Sequence, residues 1–197
     1  MNKLLKPLGI TAAVLAVAGL GFTLPSTQAA ATIGLPPIGT TCIKTTNMYH
    51  VFNPTRLLAT TVGPTAAKVS GTVTTTDGRQ GVTMTVTDFL STGRVEGLGD
   101  VTITLDNSRQ AQPSSFILNS KAGDNGATQR MNFFINVDVD GAQYRSTGQV
   151  TLVSTNVQAF PPPAGTVYEL VSEVKLADAS GKVVYTFPVG RSATVTQ

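Results

Sequence analysis

Apolar and polar residues alternate along most of this chain with a period of two, and this pattern restricts the fold more than any other feature. In 82–87, valine and methionine alternate with threonine, and 101–105 repeats the pattern with valine, isoleucine and leucine. The segments 133–140 and 183–187 continue it. Alternation places apolar side chains on one face of an extended strand and polar ones on the other, as a half-buried β-strand requires. The sequence therefore predicts an all-β protein.

Glycine-containing turns separate the strand-like segments. Asp77-Gly78, Asp140-Gly141 and Ser180-Gly181 each join two of them, and glycine adopts the positive φ that tight hairpins need. About nine or ten hairpin-linked strands are typical of a single antiparallel β-sandwich, Ig-like or jelly-roll-like, over residues 42–197. A closed β-barrel is the alternative. Residues 32–41 contain two prolines and two glycines and are predicted to form an extended lead-in.

The first thirty-one residues resemble an export signal. Two lysines precede the uncharged apolar stretch 8–24, and a run of small residues follows it. We expect residues 1–31 to be a signal peptide that is cleaved after Ala29 or Ala31, which places the mature protein outside the cytoplasm with no transmembrane span. An uncleaved membrane anchor is the alternative, because the apolar stretch approaches the length that crosses a bilayer.

Charge and aromatic content exclude some classes of function. Two of the fourteen basic residues lie in the predicted signal peptide, so twelve remain against eleven acidic residues, a net charge of +1. These charges are scattered, and nucleic-acid binding is not expected. An outer-membrane barrel is disfavoured because its aromatic girdles have no counterpart in a chain without tryptophan. The same lack disfavours a sugar-binding surface.

One motif has the spacing of a calcium loop. Asn136, Asp138 and Asp140 precede Gly141 as N-x-D-x-D-G, and calcium prefers such oxygen ligands. The alternative interpretation is a strand followed by a hairpin turn, since the intervening valines continue an apolar face. The closing glutamate of a calcium loop is missing, because Thr147 occupies its position. The hairpin interpretation is favoured, and calcium is kept as the one candidate cofactor.

The remaining reactive side chains lack a catalytic context. His50 is the only histidine and is predicted to be a structural or surface residue. Cys42 is the only cysteine and is predicted to be a buried free thiol, with an intermolecular bridge or a reactive thiol as the alternative. The S-x-x-K match at 172–175 needs a helix to bring serine and lysine together, but this segment alternates as a strand. No catalytic residue is therefore assigned.

These observations favour an exported, non-enzymatic β-sandwich that binds a protein or cell-surface partner through its loops, with 119–130 and 156–166 as the contact surface. The alternative is a carrier of an apolar ligand, in which the strands close around a lipid. A secreted hydrolase is a third hypothesis. The first two hypotheses differ in whether the inward-facing residues meet one another or line a cavity; this inward set is Phe133, Ile135, Val137, Leu170, Val174 and Phe187.

Overall fold

The structure, a computed structural model, describes residues 32–54 and 57–197, so the predicted signal peptide lies outside the described residues. In this part of the chain there are thirteen β-strands and no helix. The strands are β1 (Thr41–Phe52), β2 (Leu57–Thr74), β3 (Gln80–Val95), β4 (Gly99–Leu105), β5 (Ser114–Leu118), β6 (Ala127–Phe133), β7 (Ile135–Val139), β8 (Ala142–Ser146), β9 (Val150–Val157), β10 (Val167–Leu170), β11 (Val174–Ala177), β12 (Val183–Phe187) and β13 (Gly190–Val195).

Eight of these strands close into an antiparallel β-barrel. Their order is β1–β2–β3–β5–β6–β9–β10–β13, and β13 pairs again with β1. The predicted β-sandwich is therefore wrong, and the alternative of a closed barrel is correct. Both architectures need the same alternation of residues. They differ in pairings such as β1 with β13, which join segments far apart in the sequence.

The other five strands form a branch that leaves the barrel at β3. The second half of β3 pairs with β4, and the branch continues through β7, β8 and β11 to β12. Asn53, directly after β1, exchanges two backbone hydrogen bonds of 3.1 Å with Thr186 of β12. The branch is thus bridged back to the end of β1, and the long strands β1, β2 and β3 serve both the barrel and the branch.

Two apolar clusters fill the space between the strands. The larger cluster extends from the barrel into the branch, and its aromatic residues include Phe89, Phe133 and Phe187. The smaller cluster lies around Phe116 and contains Ile33 of the lead-in, whose N–H donates to the Gly123 carbonyl over 3.0 Å. The lead-in is therefore attached more firmly than its proline and glycine content indicates.

Two glycines allow β2 and β3 to approach each other closely. A Cβ atom on Gly63 would lie 1.9 Å from the Leu90 carbonyl oxygen, and one on Gly93 would lie 2.1 Å from the Thr60 carbonyl oxygen. Both distances are far below a van der Waals contact with backbone. Any other residue would push the two strands apart at the centre of the shared wall.

The predicted turns are confirmed, but one predicted apolar face is divided. Gly78, Gly141 and Gly181 all have positive φ in hairpin turns. Leu170 and Val174 of the inward set are buried as expected, yet they belong to β10 and β11, which pair with different neighbours. Among the described residues there is no helix long and apolar enough to span a membrane.

Candidate functional site

The predicted inward set surrounds a small apolar cavity in the larger cluster. All six of its side chains are buried, and five of them line this cavity of about 30 Å³, Val137 being the exception. Met48, Phe89 and Ile103 complete much of the apolar wall. A cavity of this size has room for about one water molecule. The interior is therefore nearly filled by its own side chains, with a space left among aromatic and aliphatic groups.

A chain of three polar side chains reaches the wall of this cavity. Ser91 Oγ donates to Thr61 Oγ1 over 2.6 Å, and Thr61 Oγ1 lies 3.2 Å from Nε2 of His50. Ser91 and Thr61 are buried, while the His50 ring lines the cavity and packs on Phe187 with ring centroids 4.9 Å apart. His50 is thus the structural, hydrogen-bonded histidine that the sequence indicated.

Burial determines the protonation of His50. Desolvation lowers the pKa of His50 to about 4, because an apolar environment disfavours the imidazolium form. The ring is therefore neutral at pH 7, and Nε2 can accept a hydrogen bond from Thr61. A neutral ring offers a polar atom but no charge to the cavity beside it.

A second small cavity, of about 20 Å³, lies among other residues of the barrel. Its wall includes Cys42, Thr65, Met131 and Tyr168. The Tyr168 hydroxyl donates to Gln129 Oε1 over 2.6 Å, and burial raises the pKa of Tyr168 far above its ordinary value. Cys42 is a free, buried thiol, as predicted, and burial raises its pKa while nearby Lys44 lowers it. A thiol with a raised pKa is a weak nucleophile.

The barrel wall has a gap where β3 passes from one neighbour to another. Pairing of β3 with β5 ends at Met84, and pairing with β4 begins at Leu90. The loop 106–113 connects β4 to β5 across this gap. Between the loop and the wall lies a cleft of about 390 Å³, which is open to solvent.

This cleft reaches the core. Met84 and Val86 of β3 line it together with Phe133, and all three belong to the apolar clusters. Two other depressions, of about 390 and 430 Å³, lie on the outer faces of β1/β13 and β9/β10, and neither contains a residue of these clusters. The 106–113 cleft is therefore the one of the three that leads inward.

Phe133 separates the cleft from the apolar cavity. This residue lines both spaces, and its ring packs on that of Phe89 with centroids 4.9 Å apart. Phe89 itself lines the cavity. One aromatic residue is thus common to the walls of the solvent-open cleft and the interior cavity.

Hydrogen bonds hold the loop 106–113 at both ends. The N–H of Asp106 donates to the Phe134 carbonyl over 2.8 Å, and Nδ2 of Asn132 donates to the Pro113 carbonyl over 2.9 Å. Between them, the Gln112 N–H donates to Oε1 of Gln149 over 2.7 Å. The cleft is therefore a preformed feature of the fold.

Sequence reasoning missed this cleft and the polar chain. Asp106 and Ser108 directly follow a strand, a pattern typical of an aspartate-stabilised turn, so the loop itself was predictable. Its position against Phe134 depends on long-range pairing. Thr61 and Ser91 are threonine and serine in strand-like segments, where polar residues indicate the solvent face rather than the interior.

The residues of the predicted calcium motif lie on β7 and in the turn after it. Asp138 Oδ1 accepts from the Gly141 N–H over 2.9 Å, and its Oδ2 accepts from the side chain of Gln143. Asp140 occupies the turn with φ of 50°. Within the described ranges, no three His, Cys, Asp or Glu side chains are grouped as a metal site would require. This arrangement is that of a hairpin, and calcium binding stays a prediction.

The Asp138→Ala variant tests the two interpretations of this motif. We expect the substitution to lower the free energy of unfolding by about 1 kcal/mol, because the turn loses an acceptor for Gly141. In each of the two proteins, the midpoint of thermal unfolding should be the same with 2 mM calcium (roughly a hundred-fold excess over a sensor-class dissociation constant) as without it. A calcium-induced rise that Asp138→Ala removes would establish the calcium site.

The predicted contact loops are shorter than expected. Residues 127–130 belong to β6, so the first connection covers 119–126, and β9 extends to Val157, so the second covers 158–166. The segment 172–175 contains no helix, and its serine and lysine are both exposed. None of these residues lines the cleft, whereas Pro162 of the second connection lines the smaller cavity and Val174 lines the larger one.

No protein-family model and no curated protein matches this chain. Its fold is similar to that of DynF from the dynemicin biosynthesis pathway of Micromonospora chersina, with a TM-score of 0.63 over 84% of this chain and 82% of that one. The two sequences are 15% identical, so the likeness concerns the fold alone. The prediction that the chain is not an enzyme is corrected to this extent: DynF, a protein of similar fold, is from a biosynthesis pathway, so the fold does not support that prediction. The chain therefore has a closed-barrel fold that it shares with DynF.

Proposed function

We propose that this protein is exported and binds an apolar ligand inside its barrel, with the 106–113 cleft as the entrance. One observation carries the proposal: Phe133 is the common wall between a solvent-open cleft and an apolar cavity in the core. A ligand that displaces this ring reaches the inward set directly from solvent. The cleft volume of about 390 Å³ lies in the range of small-molecule sites.

The methionines give the interior the freedom to enlarge. Met48 lines the larger cavity, Met131 the smaller one, and Met84 the cleft. Methionine has an unbranched, flexible side chain that adapts to irregular spaces and to different ligands. Each of the three spaces thus has one wall that can change shape without moving a strand.

The electrostatic character of the interior favours an uncharged chain. The larger cavity is lined by apolar residues with His50 and Ser192 as its polar members. His50 is neutral at pH 7 because of its lowered pKa. A charged group placed there would lose its hydration without gaining a partner.

Two further observations support export and a small-molecule ligand. The positive start, apolar stretch and small residues of 1–31 support export. The membership of DynF in a biosynthesis pathway favours a small-molecule ligand over a protein partner.

Native mass spectrometry of protein recovered from the culture medium of its host tests both parts. We expect a polypeptide without the first 29 or 31 residues and a second species heavier by one apolar compound. A mass that equals the polypeptide alone under all conditions would count against the ligand. Recovery only from the cytosol would count against export.

Binding of diphenylhexatriene, an uncharged rod-shaped fluorophore, tests the entrance. We expect saturable binding by the purified protein and about tenfold tighter binding by Phe133→Val, because the shorter side chain joins the cleft to the cavity. A tenfold gain in affinity corresponds to about 1.4 kcal/mol of binding free energy. Phe160→Val is the matched control, since Phe160 packs on Phe116 in the other cluster, with centroids 5.3 Å apart. Equal affinities for all three proteins would exclude this entrance, and absence of saturable binding would exclude the ligand site.

A further inference from the structure

The geometry points to the 106–113 cleft as the site for a cationic head group: an ammonium group on the apolar ligand, held by the carboxylate of Asp106. This inference rests on the proposed function and names the class of ligand, an apolar amine. The observation behind it is a buried carboxylate oxygen at the cleft that has no hydrogen-bond partner in the described part of the chain.

Asp106 is buried but only half satisfied. Its side chain is 4% exposed, and Oδ1 accepts from the N–H and the hydroxyl of Ser108 over 3.1 and 2.6 Å. Oδ2 is the unpartnered atom. A buried carboxylate oxygen without a donor has lost its hydration and gained no hydrogen bond in return, so this atom is a strong acceptor for an incoming group.

Arg109, the cationic residue nearest to Asp106 in the sequence, contacts other groups. The guanidinium of Arg109 donates to the backbone carbonyls of Ser146 and Thr147, and its central carbon lies 3.7 Å from the ring centre of Phe134. Within residues 32–54 and 57–197, the salt bridge that forms is Arg79–Asp77, far from this cleft in the sequence. Arg109 therefore lines the cleft without forming a salt bridge to Asp106.

The cleft combines this acceptor with an apolar floor. Met84, Val86 and Phe133 offer an apolar surface, and Asp106 lines the same cleft directly after the end of β4. A ligand with an amine at one end and an apolar chain at the other satisfies both. Its ammonium would form a charge-assisted hydrogen bond with Oδ2, which is about twice as strong as a neutral one. A carboxylate head would instead meet a like charge.

Three compounds with the same ten-carbon chain test this assignment: decylamine, decanol and decanoate. We expect titration calorimetry to give an affinity for decylamine about tenfold higher than for decanol, with decanoate the weakest, since one charge-assisted bond adds roughly 1.4 kcal/mol. In Asp106→Asn, the preference for the amine should disappear while decanol binds as before. Glu173→Gln, which removes an exposed carboxylate outside the cleft, should keep the preference.

The outcomes separate this inference from the proposed function. If none of the three compounds binds, the apolar-ligand site itself is wrong. If all bind with equal affinity, or decanoate binds most tightly, the barrel binds apolar ligands but the role of Asp106 is wrong. The series measured on the unaltered protein decides the preference even if Asp106→Asn does not fold.

Discussion

Alanine at Gly63 or at Gly93 is expected to destabilise the barrel by about 3 kcal/mol or more, a large fraction of the stability of a typical domain. The new methyl group would lie 1.9 or 2.1 Å from a backbone carbonyl oxygen of the neighbouring strand. Backbone atoms in the middle of a ladder cannot rotate away as a side chain can. The strands must separate, and the hydrogen bonds between them weaken.

Urea unfolding followed by circular dichroism measures this effect. Gly148→Ala is the matched control, because a Cβ atom there has no heavy atom within 4 Å, and we expect a change below about 0.5 kcal/mol. Unfolding midpoints for Gly63→Ala and Gly93→Ala that equal the midpoint of Gly148→Ala would show that β2 and β3 are not in such close contact.

The second large effect concerns pH. The folded pKa of His50 is about 4, below its ordinary value of 6.5. Between these two values the unfolded chain binds a proton that the folded chain does not, so the stability contributed by neutral His50 is full above pH 6.5 and is lost as the pH falls to 4. A shift of this size corresponds to about 3 kcal/mol.

The free energy of unfolding at pH 7 and at pH 4.5 gives the test. His50→Gln keeps a polar side chain without a titrating group, so its stability should change less between these pH values than that of the unaltered protein. The change in stability between the two pH values is compared between the two proteins. This comparison removes the contribution of the carboxylates, which both proteins share. The same pH dependence in both proteins would mean that His50 is solvated in the fold.

The sequence specified the strands more fully than their arrangement. Alternation in 82–87 and 101–105 places residues of β3 and β4 on the correct faces, because the side-chain period of a strand is a local property. Closure is not local: it requires β1 to meet β13 and β3 to meet β5. A sandwich was the expected way of burying one face, and the same faces are buried inside a barrel.

Only part of the candidate site was predicted from the sequence, because some of its features are local and others depend on long-range pairing. The inward set was identified from its spacing, and five of its six members line the cavity. Asp106 gave a local indication of a turn but none of burial, since its position depends on Phe134. His50 was identified as structural, whereas its partners Thr61 and Ser91 are inward residues of a type that usually faces solvent.

The closed circuit of strands also restricts how other molecules can recognise this protein. Each strand of the described chain has a hydrogen-bonded neighbour on both sides, and for β12 the second neighbour is the short bridge to Asn53. An incoming peptide thus finds vacant main-chain donors and acceptors mainly along the outer side of β12, beside the bridge at Thr186. Around the barrel itself, selectivity for partners and resistance to stacking into fibrils must come from the outward side chains, among them the exposed Ile43, Leu58 and Val62.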